Sequence, residues 1–250
     1  MPAADPPEVT ELVSGIEPFA SGDGWAIYQG DCREVVKAMR RNTVDLLVTD
    51  PPYGVAFQSN HATIKHKPIA NDTLSLTELS AMVSTCCSPL RSGRHAYVFG
   101  PPELVTDPLS AKVGLIWDKG NLGMGDLSLP WATSFEPITF AVHVPGAGAR
   151  RCNDGALSAR LRQQSVLRVP RKHGTATRRH PTEKPVRLLT QLIESSSQQG
   201  EIVLDPFMGV GSTLVAAKVE GRRSIGIELD ESYCEIAAER MDATTPAVAA

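Results

Sequence analysis

Two hydrophobic periodicities alternate along the chain. Val44–Thr49 is a near-continuous apolar run, as a strand covered on both faces requires, and Ala26–Gly30, His95–Phe99, Glu201–Leu204 and Ser224–Glu228 read as further strands. Between them, apolar positions recur at helical spacing. Asp31 caps a helix whose buried stripe is Val35, Val36 and Met39, and Ser75-Leu76-Thr77-Glu78 is a capping box opening a helix that runs to about Leu90. Pro185 suits the first turn of a helix ending near Ser196, and Ser212–Val219 and Glu231–Met241 follow as helices. Val113–Trp117 and Phe135–His143 complete the strands, the second at a sheet edge because Pro137 lacks an N–H. Strands alternating with helices predict an α/β fold, doubly wound around a mostly parallel sheet. The central run stops at Asp50-Pro51-Pro52-Tyr53, where two prolines turn the chain out of the sheet, and the polar stretch from Gly54 to Asp72 reads as a loop.

Composition sets the class. The 250 residues are 42% hydrophobic and 21% charged, which is ordinary globular usage for one domain carrying an insertion. No apolar run approaches the roughly 18–20 residues of a membrane span. The first 32 residues hold six acids and no Lys or Arg, unlike a secretory or transit leader. The five cysteines (32, 86, 87, 152, 234) contain no C-x-x-C pair and fit a reducing, cytoplasmic setting.

Charge is unevenly spread. Between Val144 and His180 stand Arg150, Arg151, Arg160, Arg162, Arg168, Arg171, Lys172, Arg178 and Arg179 against Asp154 alone, a local charge of +8 within a chain of net charge −3. A solvated basic loop would have the same composition. Its concentration on an otherwise acidic chain favours a polyanion-binding element. Gly146, Gly148, Gly155 and Gly174 mark the segment as an irregular insertion, with a short helix over Leu157–Gln164.

Two tips of the sheet carry candidate chemistry. Asp205-Pro206-Phe207-Met208-Gly209-Val210-Gly211-Ser212-Thr213 joins a strand to a helix through glycines that let backbone approach a ligand, and Glu228 ends the next strand, where a carboxylate suits ribose hydroxyls. The loop has neither the Lys of a phosphate-cradling loop nor a full G-x-G-x-x-G. Asp205 would repel a pyrophosphate but accept an ammonium and a sulfonium, which favours S-adenosylmethionine over NAD or ATP. At the other tip, the Asp50 carboxylate and the Pro51 carbonyl form two acceptors stiffened by locked φ angles. They match the two hydrogens of an exocyclic NH₂, and Tyr53 offers a face for base stacking worth about 1–3 kcal/mol.

Asp50-Pro51-Pro52-Tyr53, His180-Pro181-Thr182-Glu183-Lys184-Pro185 and Asp205 to Gly211, in that order, resemble the S-adenosylmethionine-dependent amino-methyltransferases of DNA in the permuted beta-group arrangement. The resemblance spans roughly Tyr28 to Met241. It implies a Rossmann-like methyltransferase sheet with a small target-recognition insertion: an N-terminal extension (1–24), a catalytic half (25–143), the basic insertion (144–180), a cofactor half (181–241) and a frayed tail (242–250). It further implies catalytic roles for Asp50, Pro51, Pro52 and Tyr53. Asp31 would lie near the cofactor's adenine, Lys184 and Pro185 near its methionine end, Asp205 through Thr213 in the cofactor loop, and Glu228 on the ribose. The Trp117-Asp118-Lys119 and Phe135-Glu136-Pro137 segments resemble further stretches near the site, with Phe135 where the family has His.

The implied substrate is duplex DNA with the target base flipped out, without a metal, in a restriction-modification setting and, for many relatives, as a homodimer. Asp at the first catalytic position points to adenine N6, since cytosine-N4 members more often carry Ser there and RNA or protein-amide relatives Asn. His61 and His66 lack partners for a metal site. His143, His173 and His180 are expected on the basic surface, and Trp25, Trp117 and Trp131 in packing or facing DNA.

Overall fold

The computed structural model describes residues 7–52, 74–120, 130–144, 163–170 and 183–246. Among these, nine strands make one sheet: β1 (Ala20–Gly22), β2 (Trp25–Gln29), β3 (Val44–Thr49), β4 (Leu90–Phe99), β5 (Leu109–Asp118), β6 (Phe135–His143), β7 (Val166–Arg168), β8 (Ile202–Asp205) and β9 (Arg223–Glu228). Their spatial order is β1-β2-β9-β8-β3-β4-β6-β5-β7. The block β2-β9-β8-β3-β4 is parallel, β6 runs antiparallel to both its neighbours, and β7 lies parallel to β5.

Among the described residues, five α-helices cover the sheet: α1 (Cys32–Ala38), α2 (Leu76–Cys86), α3 (Val186–Ser196), α4 (Ser212–Val219) and α5 (Glu231–Ala243). The alternation within each strand decides which face meets which helix. Ala26, Tyr28, Leu47, Leu204, Ile225 and Ile227 pack with Val35 and Val36 of α1 and Leu79, Met82 and Val83 of α2. On the other face, Leu46, Val48 and Val203 pack with Leu188, Leu189, Leu192 and Ile193 of α3, while Trp25 and Ile27 meet Leu214 of α4 and Ala237 and Met241 of α5. Gly226 is small because a Cβ there would lie 2.4 Å from Met208 Sδ and within 3 Å of Leu214. No helix among the described residues is long and apolar enough to cross a membrane.

Asp31 caps α1 by accepting from Arg33 N at 2.8 Å, and Ser75 and Glu78 complete the expected capping box on α2. Three expectations need correction. Helix α2 stops at Cys86 and β4 already begins at Leu90, so β4 takes in a polar start that periodicity does not mark as strand. Those polar residues have partners: Arg91 and Arg94 both pair with the buried Asp45 carboxylate, at 2.5 and 2.9 Å, and Arg94 also pairs with Glu201. Secondly, β6 is an interior strand, lying between β4 and β5. Pro137 is tolerated because its carbonyl accepts from Gly100 N at 3.0 Å, just past the end of β4, so its missing N–H falls where the neighbouring strand has ended. Thirdly, His143 is buried, with Nδ1 3.2 Å from the Arg91 carbonyl oxygen, at the far end of β6 from the catalytic rim. Burial lowers its pKa, so it adds no charge to a basic surface.

Candidate active site

Four carboxylates stand at the carboxyl ends of four adjacent parallel strands. Asp31 follows β2, Glu228 ends β9, Asp205 ends β8 and Asp50 follows β3. Register aligns them: Gln29 pairs with Glu228, Asp205 with Gly226, and Leu46 with Val203. From β3 the chain winds through α2 to β4 on one side, and from β8 it winds through α4 to β9 on the other. The winding reverses between β3 and β8, which is where open α/β sheets form their ligand crevice. Asp50 and Asp205 flank that reversal.

Asp205 is 3% exposed. Burial pushes its pKa up to about 7 against hydrogen bonds from Thr213 and the Phe207 N–H, and the negative charges of Asp50 and Glu228 push the same way. A buried acid whose charged neighbours are acids is a site short of positive charge. Burial also raises Glu228, although its Oε2 accepts from Gly209 N at 3.0 Å and its Oε1 from Leu229 N and Asp230 N at 2.8 and 2.9 Å.

The glycine loop keeps its shape through two left-handed residues, Gly209 (φ 51°) and Gly211 (φ 76°). Gly211 caps α4, and a Cβ there would sit 2.8 Å from Ala237 Cβ. We expect Gly211→Ala to combine backbone strain with overpacking, costing about 1–3 kcal/mol. That corresponds to a Tm loss of roughly 2–12 °C. Thermal unfolding checks it, and an unchanged Tm would show that α5 yields freely.

Asp50 is held from the other side of the crevice. Lys184, 8% exposed, donates to Asp50 Oδ2 at 2.5 Å, pairs with Glu136 Oε1 at 2.9 Å, and lies 5.1 Å from the Phe99 ring centroid. Burial alone would lower its pKa. The two carboxylates outweigh burial and hold the pKa above the ordinary lysine value, so the ammonium stays charged. Lys119 closes the network on Glu136 Oε2 at 3.1 Å, its ammonium 5.1 Å from the Trp117 ring centroid.

This layout, with a glycine loop and acids at a switch point facing an Asp-Pro-Pro tip, matches known proteins. A DNA methylase family, that of the N6/N4 methyltransferases, matches residues 106–239. The chain belongs to this family of amino-methyltransferases. Among curated relatives, a protein of Escherichia coli (strain K12) that carries a methylase name, YubD, is 31% identical over 227 residues, covering 88% of this chain and 91% of its own. The DNA adenine methyltransferase YhdJ of Escherichia coli (strain K12) is 25% identical, covering 92% and 87%. The solved M1.HpyAVI–SAM complex superposes with a TM-score of 0.65 at 22% identity, covering 87% of this chain and 99% of that one.

The methylase takes its methyl group from S-adenosylmethionine. Its crevice fits that molecule: the buried Asp205, on which the charges of Asp50 and Glu228 act, suits a cation, and Gly209 leaves open space where a Cβ would lie, so that backbone can approach a ligand. Among the described residues, no group of three or more His, Cys, Asp or Glu side chains could hold a metal.

Of the residues expected at the site, Asp50, Pro51, Pro52, Lys184, Pro185, Asp205 to Thr213 and Glu228 line the β3–β8–β9 rim or the turns beside it. Asp31 is at the same rim, where its carboxylate caps α1 and pairs with Arg33. Tyr53, the loop from Gly54 to Asp72 with His61 and His66, and residues His180 to Thr182 lie outside the described residues. Of the basic candidates, Arg168 is described: it ends β7 beside Asp118 (3.6 Å), with its side chain 73% exposed. The remainder (Arg150, Arg151, Arg160, Arg162, Arg171, Lys172, Arg178, Arg179) fall outside, as does the expected helix up to residue 162. Trp25 and Trp117 are buried core residues, whereas Trp131 is 86% exposed.

Two participants escaped sequence reasoning. Arg240 of α5 donates to the Val210 carbonyl at 2.6 Å and to Ser212 Oγ at 3.1 Å, and pairs with Glu183 at 3.1 Å, so it braces the glycine loop. No spacing in the sequence links it to that loop. Glu136 sat in a segment expected near the site, but only the fold brings it onto Lys184.

Proposed function

We propose that this methylase transfers a methyl group from S-adenosylmethionine to the N6 amine of an adenine flipped out of duplex DNA. The observation that carries the reading is the convergence of Asp50, from one half of the chain, with Asp205 and Glu228, from the other, on one crevice. S-adenosylmethionine supplies an electrophilic methyl on a sulfonium; Asp205 faces its positive charge and Glu228 its ribose hydroxyls. Asp31 serves the adenine side. Asp50 accepts one hydrogen of the target amine and the Pro51 carbonyl the other, drawing them off the ring plane so that the nitrogen lone pair turns toward the methyl. The nitrogen–carbon bond forms as the carbon–sulfur bond breaks, and the amine then sheds one proton. Tyr53 stacks on the extruded base, which offsets the few kcal/mol that flipping costs.

Asp at position 50 and the adenine methyltransferase name of YhdJ support adenine over cytosine N4. The chain order, with the Asp50 tip before the basic segment and the glycine loop, supports the permuted beta-group arrangement, and the type II methyltransferase names of relatives in Moraxella bovis and Haemophilus parainfluenzae support a restriction-modification setting. The basic segment from Val144 to His180, including Arg168, is the DNA-binding element, most of its cations contacting phosphate.

The test supplies the purified chain with labelled methyl donor and offers duplex DNA, RNA and protein in parallel. Nucleoside mass spectrometry then identifies the product. Label in duplex DNA as N6-methyladenine is expected. Label as N4-methylcytosine would reassign the base, and label on RNA or protein alone would overturn the reading.

A further inference from the structure

We propose that Lys184 is a positioning residue for the reaction: its ammonium, seated by Glu136, fixes the plane and position of the Asp50 carboxylate. The inference rests on the reading of Asp50 as the acceptor of the target amine, and it assigns Lys184 to the catalytic carboxylate instead of to cofactor affinity.

The geometry supports this in three ways. Lys184 is buried and its Nζ reaches two carboxylates from different parts of the fold, Asp50 at 2.5 Å and Glu136 at 2.9 Å. Glu136 is itself fixed, because it lies on β6 opposite Trp117 of β5 and pairs with Lys119 at 3.1 Å. The Lys184 backbone is anchored from both sides. Pro185 caps α3 directly after it, and Glu183 before it pairs with Arg240, which holds the glycine loop. The dipeptide therefore bridges the two halves of the crevice, one side chain on each.

Charge decides what Lys184 does there. The negative charge of Asp50 acts on Asp205 across the β3–β8 crevice, so without a cation its carboxylate would be driven away from that acid. Asp50, Glu136, Lys184 and Lys119 together sum to zero, so the network can sit beside a cationic cofactor without repelling it. A seated point charge with a rigid aromatic wall, Phe99 at 5.1 Å from Nζ to ring centroid, is a device for holding an oxygen still.

Four proteins test this: wild type, Lys184→Met, Glu136→Gln and Asp50→Ala, each measured for kcat on duplex DNA at saturating S-adenosylmethionine and for cofactor Kd by calorimetry. Thermal unfolding verifies that each is folded. The expected result is a kcat loss of about 10²-fold for Lys184→Met and about 10-fold for Glu136→Gln, with cofactor Kd within threefold of wild type in both. If Lys184→Met does not fold, Glu136→Gln carries the test by the same split between kcat and Kd. A Lys184→Met enzyme with wild-type kcat and a Kd raised tenfold or more would overturn the proposal and make Lys184 a cofactor contact. Should that occur while Asp50→Ala is inactive, the role of Asp50 stands and only the positioning role falls. Full activity in Asp50→Ala would remove both.

Discussion

Replacing Asp50 with Ala should lower kcat by about 10²–10³-fold or more and leave the S-adenosylmethionine Kd within a few-fold of wild type. The loss reflects differential binding of the transition state. An exocyclic amine is a weak nucleophile because its lone pair is delocalised into the ring. Asp50 has value only as the nitrogen becomes tetrahedral and positive, so its loss appears in kcat and little in ground-state affinity. The fold isolates that role. Asp50 follows β3, whereas the glycine loop and Glu228 belong to β8 and β9 and are braced by Arg240, Thr213 and backbone amides that do not depend on Asp50. Steady-state methylation with calorimetric cofactor binding checks both halves of the expectation. Retained kcat would remove Asp50 from the reaction, and a lost Kd would make it part of the cofactor site.

Asp205→Asn should make the ligand-free protein more stable and the enzyme worse. In the folded state the Asp205 pKa is about 7, against an ordinary value of 3.8. The folded chain therefore binds this proton more tightly than the unfolded chain does. The favourable contribution is full below about pH 4, is lost as pH rises toward 7, and stays lost above it. Asn keeps an acceptor for the Phe207 N–H but cannot ionise. At pH 8 the variant should be more stable by about 2–4 kcal/mol, or roughly 5–15 °C in Tm. The advantage should shrink steadily toward pH 4–5. Cofactor affinity should fall about tenfold or more, and in the wild type it should strengthen between pH 6 and 8 as the carboxylate ionises to meet the ligand's positive charge. Melting curves across pH and calorimetry with S-adenosylmethionine read both effects. A variant that melts no higher than wild type at pH 8 would show that Asp205 is not strained by its burial.

Much of this was legible in the sequence because the parallel strands are buried on both faces. Val44–Thr49 and Ser224–Glu228 could be placed almost to the residue, and each ends on an acid or just before one, so the strand tips disclosed the rim. The elements that were misread are those where periodicity had no purchase. β1 and β7 are three residues long, too short to show a period. β4 begins with charged residues that serve Asp45 and Glu201, partners 46 and 107 positions away. Pro137 suggested an edge because a missing N–H is read locally, while what permits it is the end of a different strand. The same limit applies at the site. The Asp50 and Asp205 motifs announce themselves by spacing, but the Lys184–Glu136 and Arg240–Val210 contacts exist only once the sheet brings distant segments together.

The most direct test of the account is a crystal structure of the enzyme bound to a duplex carrying its methylation site and an S-adenosylmethionine analogue without a transferable methyl. The expected result is an adenine rotated out of the helix with its N6 within about 3.2 Å of both an Asp50 carboxylate oxygen and the Pro51 carbonyl oxygen. A target base that stays stacked in the duplex, or that enters the crevice with its amine turned away from these two acceptors, would contradict it.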